Sequence, residues 1–202
     1  MFNVQVDYDL KVMQPNQTLE NLTSNIIQKM RDVLQIEKPD VVLVHGDTAT
    51  GFATALASFY QKIKIGHVEA GLRSFDKYSP FPEEMNRVLI SDLADYHFAP
   101  TKQNVQNLLN EGIRKENVAQ TGNTVIDVIK YTVKENYHFE EQKLEQIDYR
   151  NNRVILVTAH RRENIGIGLE NICDALNEIT RQYQDVKVVY PVHLNPKVRE
   201  IV

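Results

Sequence analysis

The chain has 202 residues, of which 42% are hydrophobic and 25% charged, the composition of an ordinary globular protein with one or two domains. Its formal net charge of −4, without any basic stripe, argues against binding to nucleic acid. No apolar run approaches the roughly 18 residues of a membrane span, and the N-terminus does not resemble a signal peptide. Cys173 is the only cysteine, which excludes a disulfide within the chain. We therefore expect a cytoplasmic protein without membrane contact.

The first predicted elements form a helix, strand, helix, strand unit. Thr18 is a suitable N-cap for a long helix whose apolar residues recur at spacings of three and four, a stripe that we interpret as core packing. Residues 41–44 are an uninterrupted apolar run typical of a strand buried on both faces of a parallel sheet. A helical pattern over residues 52–60 then leads to a second strand over residues 63–68.

An acidic residue follows each of these two strands. Asp47 comes just after the first strand, and Glu69 comes just after the second. In open parallel α/β sheets, ligands bind beyond the carboxyl ends of the strands, because the loops converge there and helix N-termini point into the crevice. We therefore expect Asp47 and Glu69 to be neighbours at a ligand-binding edge.

A loop rich in proline and aromatic residues comes next, over residues 71–82. Its prolines cannot continue a helix or a central strand, so we expect a functional surface loop. Pro82 fits the first position of a new helix, which places Glu83 and Glu84 in its first turn. Because the helix dipole alone favours acids there, these two residues allow a structural as well as a functional interpretation.

The rest of the first domain alternates between strands and helices. The pattern predicts a strand over residues 96–99, a helix over residues 103–109, a strand over residues 118–120 and a helix over residues 125–135. Asn123 or Thr124 could cap the last helix or present a backbone N–H to an anion, and we favour capping. The polar residues 139–152 are predicted to connect a first Rossmann-like domain, residues 1–138, to the start of a second, residues 153–202.

A cationic cluster follows the first predicted strand of the second domain. His160 and Arg161 stand there at the entry to a helix, where they would suit a diphosphate. Carboxylates on one side of a cleft and cations on the other suit a substrate with a neutral reacting centre and an anionic leaving group. No grouping of His and Cys has the spacing of metal ligands, so we expect no metal site.

Six segments, in order along the chain, resemble the motifs of the bacterial non-hydrolysing UDP-N-acetylglucosamine 2-epimerases. They are residues 45–48 (HGDT), 67–73 (HVEAGLR), 82–87 (PEEMNR), 121–127 (TGNTVID), 160–164 (HRREN) and 191–196 (PVHLNP). Six ordered motifs are far more specific together than any one alone. The resemblance implies an α/β fold with two Rossmann-like domains of the glycosyltransferase-B type, both incomplete in this chain, and a substrate held between them.

The implied reaction is the reversible epimerisation of UDP-N-acetylglucosamine to UDP-N-acetylmannosamine, without NAD or a metal. In the family, the C2 proton is removed and UDP is eliminated to give 2-acetamidoglucal, and UDP adds back after reprotonation on the other face. The product supplies N-acetylmannosamine for cell-surface polysaccharides. The resemblance also implies a homodimer when the protein is intact, and in some members a second UDP-N-acetylglucosamine acts as an allosteric activator.

Carried over residue by residue, the resemblance assigns catalysis to Asp47, Glu69, Glu83 and His160. It assigns substrate binding to Asp47, Glu69 and His160 together with Arg73, Arg87, Arg161, His193 and Asn195. Which acid removes the proton and which returns it stays open. Because family members are much longer, we expect this chain to be an internal fragment with little or no activity by itself.

Other classes of function fit the same residues. A glycosyltransferase of this fold would pass the sugar to an acceptor, and a hydrolysing 2-epimerase would release UDP and free N-acetylmannosamine. A sugar-nucleotide-binding module is the non-enzymatic alternative. Solvent deuterium at C2 of the recovered sugar nucleotide would favour the epimerase over the transferase.

Overall fold

The structure is a computed structural model that describes residues 4–159 and 164–202. The chain divides into two compact units, a first that ends at Val133 and a second that runs from Lys134 to Val202. Among the described residues, no helix has both the length and the apolar character needed to cross a membrane.

The first unit contains a parallel four-stranded sheet with the strand order β1-β2-β3-β4. Its elements are α1 (Leu19–Glu37), β1 (Val41–His45), α2 (Ala49–Tyr60), β2 (Lys64–Val68), α3 (Glu83–Leu93), β3 (Tyr96–Ala99), α4 (Lys102–Asn110), a 3-10 turn (Lys115–Asn117), β4 (Val118–Gln120) and α5 (Thr124–Thr132). Sequential strands that lie side by side and are joined by helices are typical of a Rossmann-like half.

The second unit pairs two parallel strands. Its elements are α6 (Gln142–Glu145), β5 (Arg153–Leu156), α7 (Ile167–Gln182), β6 (Val186–Val189) and α8 (Pro196–Arg199). The β5 and β6 strands are connected by α7, which gives the β-α-β arrangement that a parallel pair requires.

The predicted strands and the long helices are confirmed, with ends that differ by at most three residues. Thr18 caps α1 as predicted, and its hydroxyl accepts from the backbone N–H of Asn21 at 3.3 Å. One local prediction was wrong, since Pro82 occupies the N-cap of α3 and not its first helical position. The polar connection contains one helical turn, α6, that the sequence pattern did not predict and whose N-cap is Glu141.

One core cluster of the first unit lies between the sheet and the helices α2 and α3. Its buried members are Val44, Ala55, Ile65 and Ile90. The buried face of α2 carries small residues, so that helix can pack closely against α1 on one side and α3 on the other. Because α3 is fixed against the sheet in this way, its first turn is held beside the carboxyl ends of β1 and β2.

Candidate active site

The turns that follow β1 and β2 leave the sheet side by side. The parallel register pairs His45 with Val68, the last residues of the two strands. One residue further on, the backbone N–H of Gly46 donates to the carbonyl of Val68 at 3.0 Å. Asp47 and Glu69 therefore both lie at the carboxyl edge of the sheet, as their positions after the strands predict.

The backbone at this edge is strained. Glu69 has a φ of +66°, which is left-handed and costs a non-glycine residue roughly 1–2 kcal/mol. Gly46 also has a positive φ, +69°, and a Cβ at that position would lie 3.5 Å from Oε2 of Glu69. Strain of this kind is concentrated at functional sites. The two turns thus bring the backbone of Gly46 close to the carboxylate of Glu69.

Asp47 is held by two side chains of α3. Arg87 donates from Nη2 to Oδ2 of Asp47, and the amide of Asn86 donates to the backbone carbonyl of Asp47 at 2.8 Å. The Arg87 side chain is largely buried. A charge-assisted hydrogen bond in such a site is stronger than one between exposed groups. The contact fixes one oxygen of Asp47.

Glu69 is held by the residue that caps α5. The side-chain oxygen of Asn123 accepts from the backbone N–H of Val125 at 2.9 Å, which confirms the predicted cap. The NH₂ group of the same amide donates to Oε1 of Glu69 at 2.8 Å. His45 Nε2 lies 3.5 Å from the other oxygen, Oε2. One Asn123 side chain therefore both starts a helix and orients a carboxylate.

The two adjacent acids of α3 differ in environment. Glu84 is 3% exposed and accepts hydrogen bonds from the backbone N–H groups of Ser74 and Phe75, all at 3.0 Å. Glu83 is half-buried and makes no hydrogen bond or ion pair within the described ranges. The Glu83 carboxylate is therefore left available to a ligand, whereas the hydrogen bonds of Glu84 hold the fold.

A buried histidine lies beneath the Asp47 turn. His67 Nε2 is 2.8 Å from the carbonyl of Gly46, and since a carbonyl only accepts, Nε2 carries the hydrogen. Burial lowers the pKa of His67 from 6.5 to about 4. The ring is therefore neutral at neutral pH and serves to hold the turn that carries Asp47.

Arg73 is tied to neighbouring elements of the first unit. Its guanidinium donates to the two carboxylate oxygens of Glu111 at 2.7 Å each and to the hydroxyl of Ser91 at 3.1 Å. The side chain is 1% exposed. The structure thus describes Arg73 as a buried tie to the end of α4 and to α3, and its contact with a substrate stays a prediction.

The candidates of the second unit follow β6. Asn195 caps α8, where its side chain accepts from the backbone N–H of Lys197 at 3.1 Å, and its own N–H donates to Nδ1 of His193 at 3.0 Å. His160 and Arg161 lie outside the described residues. Within the part of the chain that the structure describes, no three His, Cys, Asp or Glu side chains are grouped as metal ligands.

These observations define a class of candidate site, a cluster of carboxylates at the carboxyl edge of a parallel α/β sheet. Asp47 and Glu69 stand on adjacent strand ends, and Glu83 begins the helix that holds Asp47. Carboxylates at such an edge can transfer protons to and from a bound ligand.

Comparisons with known proteins show the family of the chain. A family model for UDP-N-acetylglucosamine 2-epimerase matches residues 1–202, so the chain belongs to that family. It is 52% identical over 205 residues to a UDP-N-acetylglucosamine 2-epimerase of Salmonella typhimurium, covering 99% of this chain and 54% of that relative. The chain spans about half the length of the curated relatives it matches.

Two solved structures confirm the predicted fold class. The UDP-GlcNAc 2-epimerase of Neisseria meningitidis bound to UDP-GlcNAc is 48% identical, with a TM-score of 0.85 over 98% of this chain and 54% of that one. The S. aureus MnaA–UDP co-structure is 53% identical, with a TM-score of 0.88 over 98% of this chain and 51% of that one. The α/β fold is therefore the glycosyltransferase-B type of these enzymes.

Proposed function

We propose that the protein containing this chain interconverts UDP-N-acetylglucosamine and UDP-N-acetylmannosamine at C2. The observation that carries the proposal is the pair of carboxylates on adjacent strand ends, Asp47 held by Arg87 and Glu69 held by Asn123. The family supplies the reaction, and a relative bound to UDP-GlcNAc and another bound to UDP support the substrate and the leaving group.

The proposed chemistry has two proton transfers. A carboxylate removes the proton on C2 while the bond from C1 to the UDP oxygen breaks, which leaves a C1=C2 double bond in 2-acetamidoglucal and free UDP. A carboxylic acid then returns a proton to the opposite face of C2 as UDP re-forms its bond to C1. Asp47, Glu69 and Glu83 are the proposed acids and bases. Coupling proton removal to loss of a stabilised diphosphate lowers the barrier.

Four residues of the second unit are the further part of the proposal. His160 and Arg161 would hold the diphosphate, with support from His193 and Asn195, because cations stabilise the charge that develops on the departing UDP. The reaction requires neither NAD nor a metal ion. The cytoplasmic setting, the homodimer and a second, activating UDP-N-acetylglucosamine stay predictions.

The test is solvent exchange at C2 in the full-length protein that contains this chain. In deuterium oxide, recovered UDP-N-acetylglucosamine should gain deuterium at C2, and Asp47→Asn, Glu69→Gln and Glu83→Gln should each lower the exchange rate by about 10²–10⁴-fold while UDP binding persists. Glu116→Gln, at an exposed residue of the 3-10 turn, is the control. Unchanged exchange in all three variants would refute the catalytic assignment.

The same incubation separates the other functions. Sugar transfer to an acceptor without deuterium at C2 would indicate a glycosyltransferase. Free N-acetylmannosamine together with UDP would indicate a hydrolysing enzyme. Tight UDP binding with no turnover, unaffected by Asp47→Asn, would indicate a binding module.

A further inference from the structure

Glu84 has contacts that a surface acid of a first helical turn does not need. Its side chain is 3% exposed, and both oxygens accept from the backbone N–H of Ser74, ten residues earlier in the chain. Oε1 also accepts from the backbone N–H of Phe75. Burying a carboxylate is costly unless its charge is paired and hydrogen-bonded. The amides of this loop therefore supply part of the hydrogen bonding that the buried Glu84 carboxylate needs.

The other side of Glu84 faces Arg87, one helical turn later. Arg87 Nη1 lies 3.3 Å from Oε2 of Glu84, while Nη2 of the same guanidinium donates to Asp47. The remaining donor, Nε, is buried and has no acceptor within the described ranges. The orientation of the Arg87 guanidinium is therefore set by the two carboxylates, Glu84 and Asp47.

The loop that Glu84 binds, residues 72–82, begins in a strained conformation. Phe75 has a φ of +62°, which for an aromatic residue is an outlier that persists only when the surroundings hold it in place. Its ring is 78% exposed, so side-chain packing is not what holds it. The backbone N–H groups of Ser74 and Phe75 donate to Glu84, and the Ser74 hydroxyl bonds to the backbone of Asp76. Glu84 is therefore the acceptor from outside the loop that holds this backbone.

We infer that Glu84 is a positioning residue that joins the loop of residues 72–82 to Asp47 through Arg87. The hydrogen bonds that it accepts from the Ser74 and Phe75 amides fix the strained start of the loop. Its ion pair with Arg87 fixes the guanidinium that orients Asp47. The expected loss of turnover rests on the proposed function, in which Glu83 transfers protons. Glu84 only holds the loop and the Arg87 side chain in place.

Two substitutions in the full-length protein separate the two contacts. Glu84→Ala removes both the loop acceptors and the ion pair. Glu84→Gln keeps one oxygen that can accept from both loop amides and replaces the oxygen that faces Arg87 by an uncharged NH₂ group. The matched control is Asp95→Asn, because Asp95 also accepts from a backbone N–H, that of Ile65 at 2.8 Å, without any link to Asp47.

Hydrogen exchange by mass spectrometry and C2 exchange kinetics are measured together. In Glu84→Ala, amide exchange should accelerate both at residues 74–75 and in the Asp47 turn, residues 46–48, and kcat should fall about 100-fold with KM within about 2-fold. In Glu84→Gln, residues 74–75 should stay protected while kcat falls about 10-fold. Asp95→Asn should change neither the exchange of these two segments nor kcat.

The outcomes distinguish this inference from the proposed function. Faster amide exchange confined to residues 74–75 in Glu84→Ala, or kcat equal to that of the unmodified protein in both variants, would overturn the inference. If the unmodified protein shows no C2 exchange, the proposed function fails, and hydrogen exchange still decides the link between the two segments. If Glu84→Ala does not fold, kcat of Glu84→Gln at unchanged KM decides the role of the ion pair.

Discussion

At the scale of single residues, Asn123 shows how one amide can serve two neighbours. Its oxygen caps α5 and its NH₂ group donates to Glu69. Asn123→Asp keeps the cap but replaces the donor by a charge that repels Glu69, so we expect C2 exchange of the full-length protein to fall about 10–100-fold with little change in Tm. Asn123→Ser, which keeps a cap without adding charge, should lower the rate of C2 exchange less than Asn123→Asp does. Full activity of Asn123→Asp would contradict this role.

His67 gives a prediction about pH. Its pKa is lowered to about 4 in the folded state, so between pH 6.5 and 4 the unfolded chain binds a proton that the folded chain does not. Stability should therefore fall as the pH drops through this window, by up to about 3 kcal/mol from His67 alone. In urea titrations of this chain at several pH values, His67→Gln should lack that part of the decrease. Equal pH dependence of the two proteins would contradict it.

The sequence anticipated the acids of the site better than the residues that hold them. Asp47 and Glu69 could be placed because each follows a buried strand and the strands are parallel. Glu84 could only be interpreted as a first-turn acid, because its partners are backbone amides ten residues away in an irregular loop. No local sequence pattern predicts such a contact. The cap at Asn123 was predicted, but its second bond depends on a carboxylate 54 positions earlier.

At the scale of elements, Gly71 controls how α4 approaches the end of β2. A Cβ there would lie 2.3 Å from the backbone oxygen of Asn104, and the φ of +86° is strained for any other residue. Gly112 has a similar φ, +89°, with nothing within 4 Å of its Cβ position. Gly112→Ala should thus cost roughly 1–2 kcal/mol of strain, whereas Gly71→Ala adds a clash and should cost about 4 kcal/mol. Urea denaturation of both variants measures the difference, and equal losses would contradict it.

Elements were predictable where hydrophobic periodicity is strong. The helix α1 and the strand β1 are confirmed where the apolar patterns predict them. The prediction that β1 is buried on both faces was wrong, because only the face that carries Val44 packs against the core. The single turn of α6 was missed because it buries none of its residues, and its side chains therefore carry no periodic signal. Short elements that are stabilised by caps alone leave little trace in composition.

At the scale of the molecule, the chain supplies the carboxylate side of the proposed reaction but spans only about half the length of its relatives. The outer face of β1 is apolar yet open, since Leu43 is 64% exposed and Val41 is 40% exposed among the described residues. In open parallel sheets such faces are normally covered. We therefore expect the 202-residue chain to fold, to bind a hydrophobic dye through this face, and to show little or no C2 exchange.

The comparison that decides this prediction is between the chain and the full-length protein at equal concentration. Circular dichroism first establishes that the chain is folded. Leu43→Ser then tests whether dye binding depends on the outer face of β1. The control is Val44→Ser, which lies on the buried face of the same strand and should destabilise the chain. Turnover of the chain equal to that of the full-length protein would contradict the prediction, because the 202 residues would then be sufficient for the reaction. Dye binding that is lost in Leu43→Ser, together with absent turnover of the folded chain, is the expected result, because the exposed Leu43 side chain offers the dye an apolar surface.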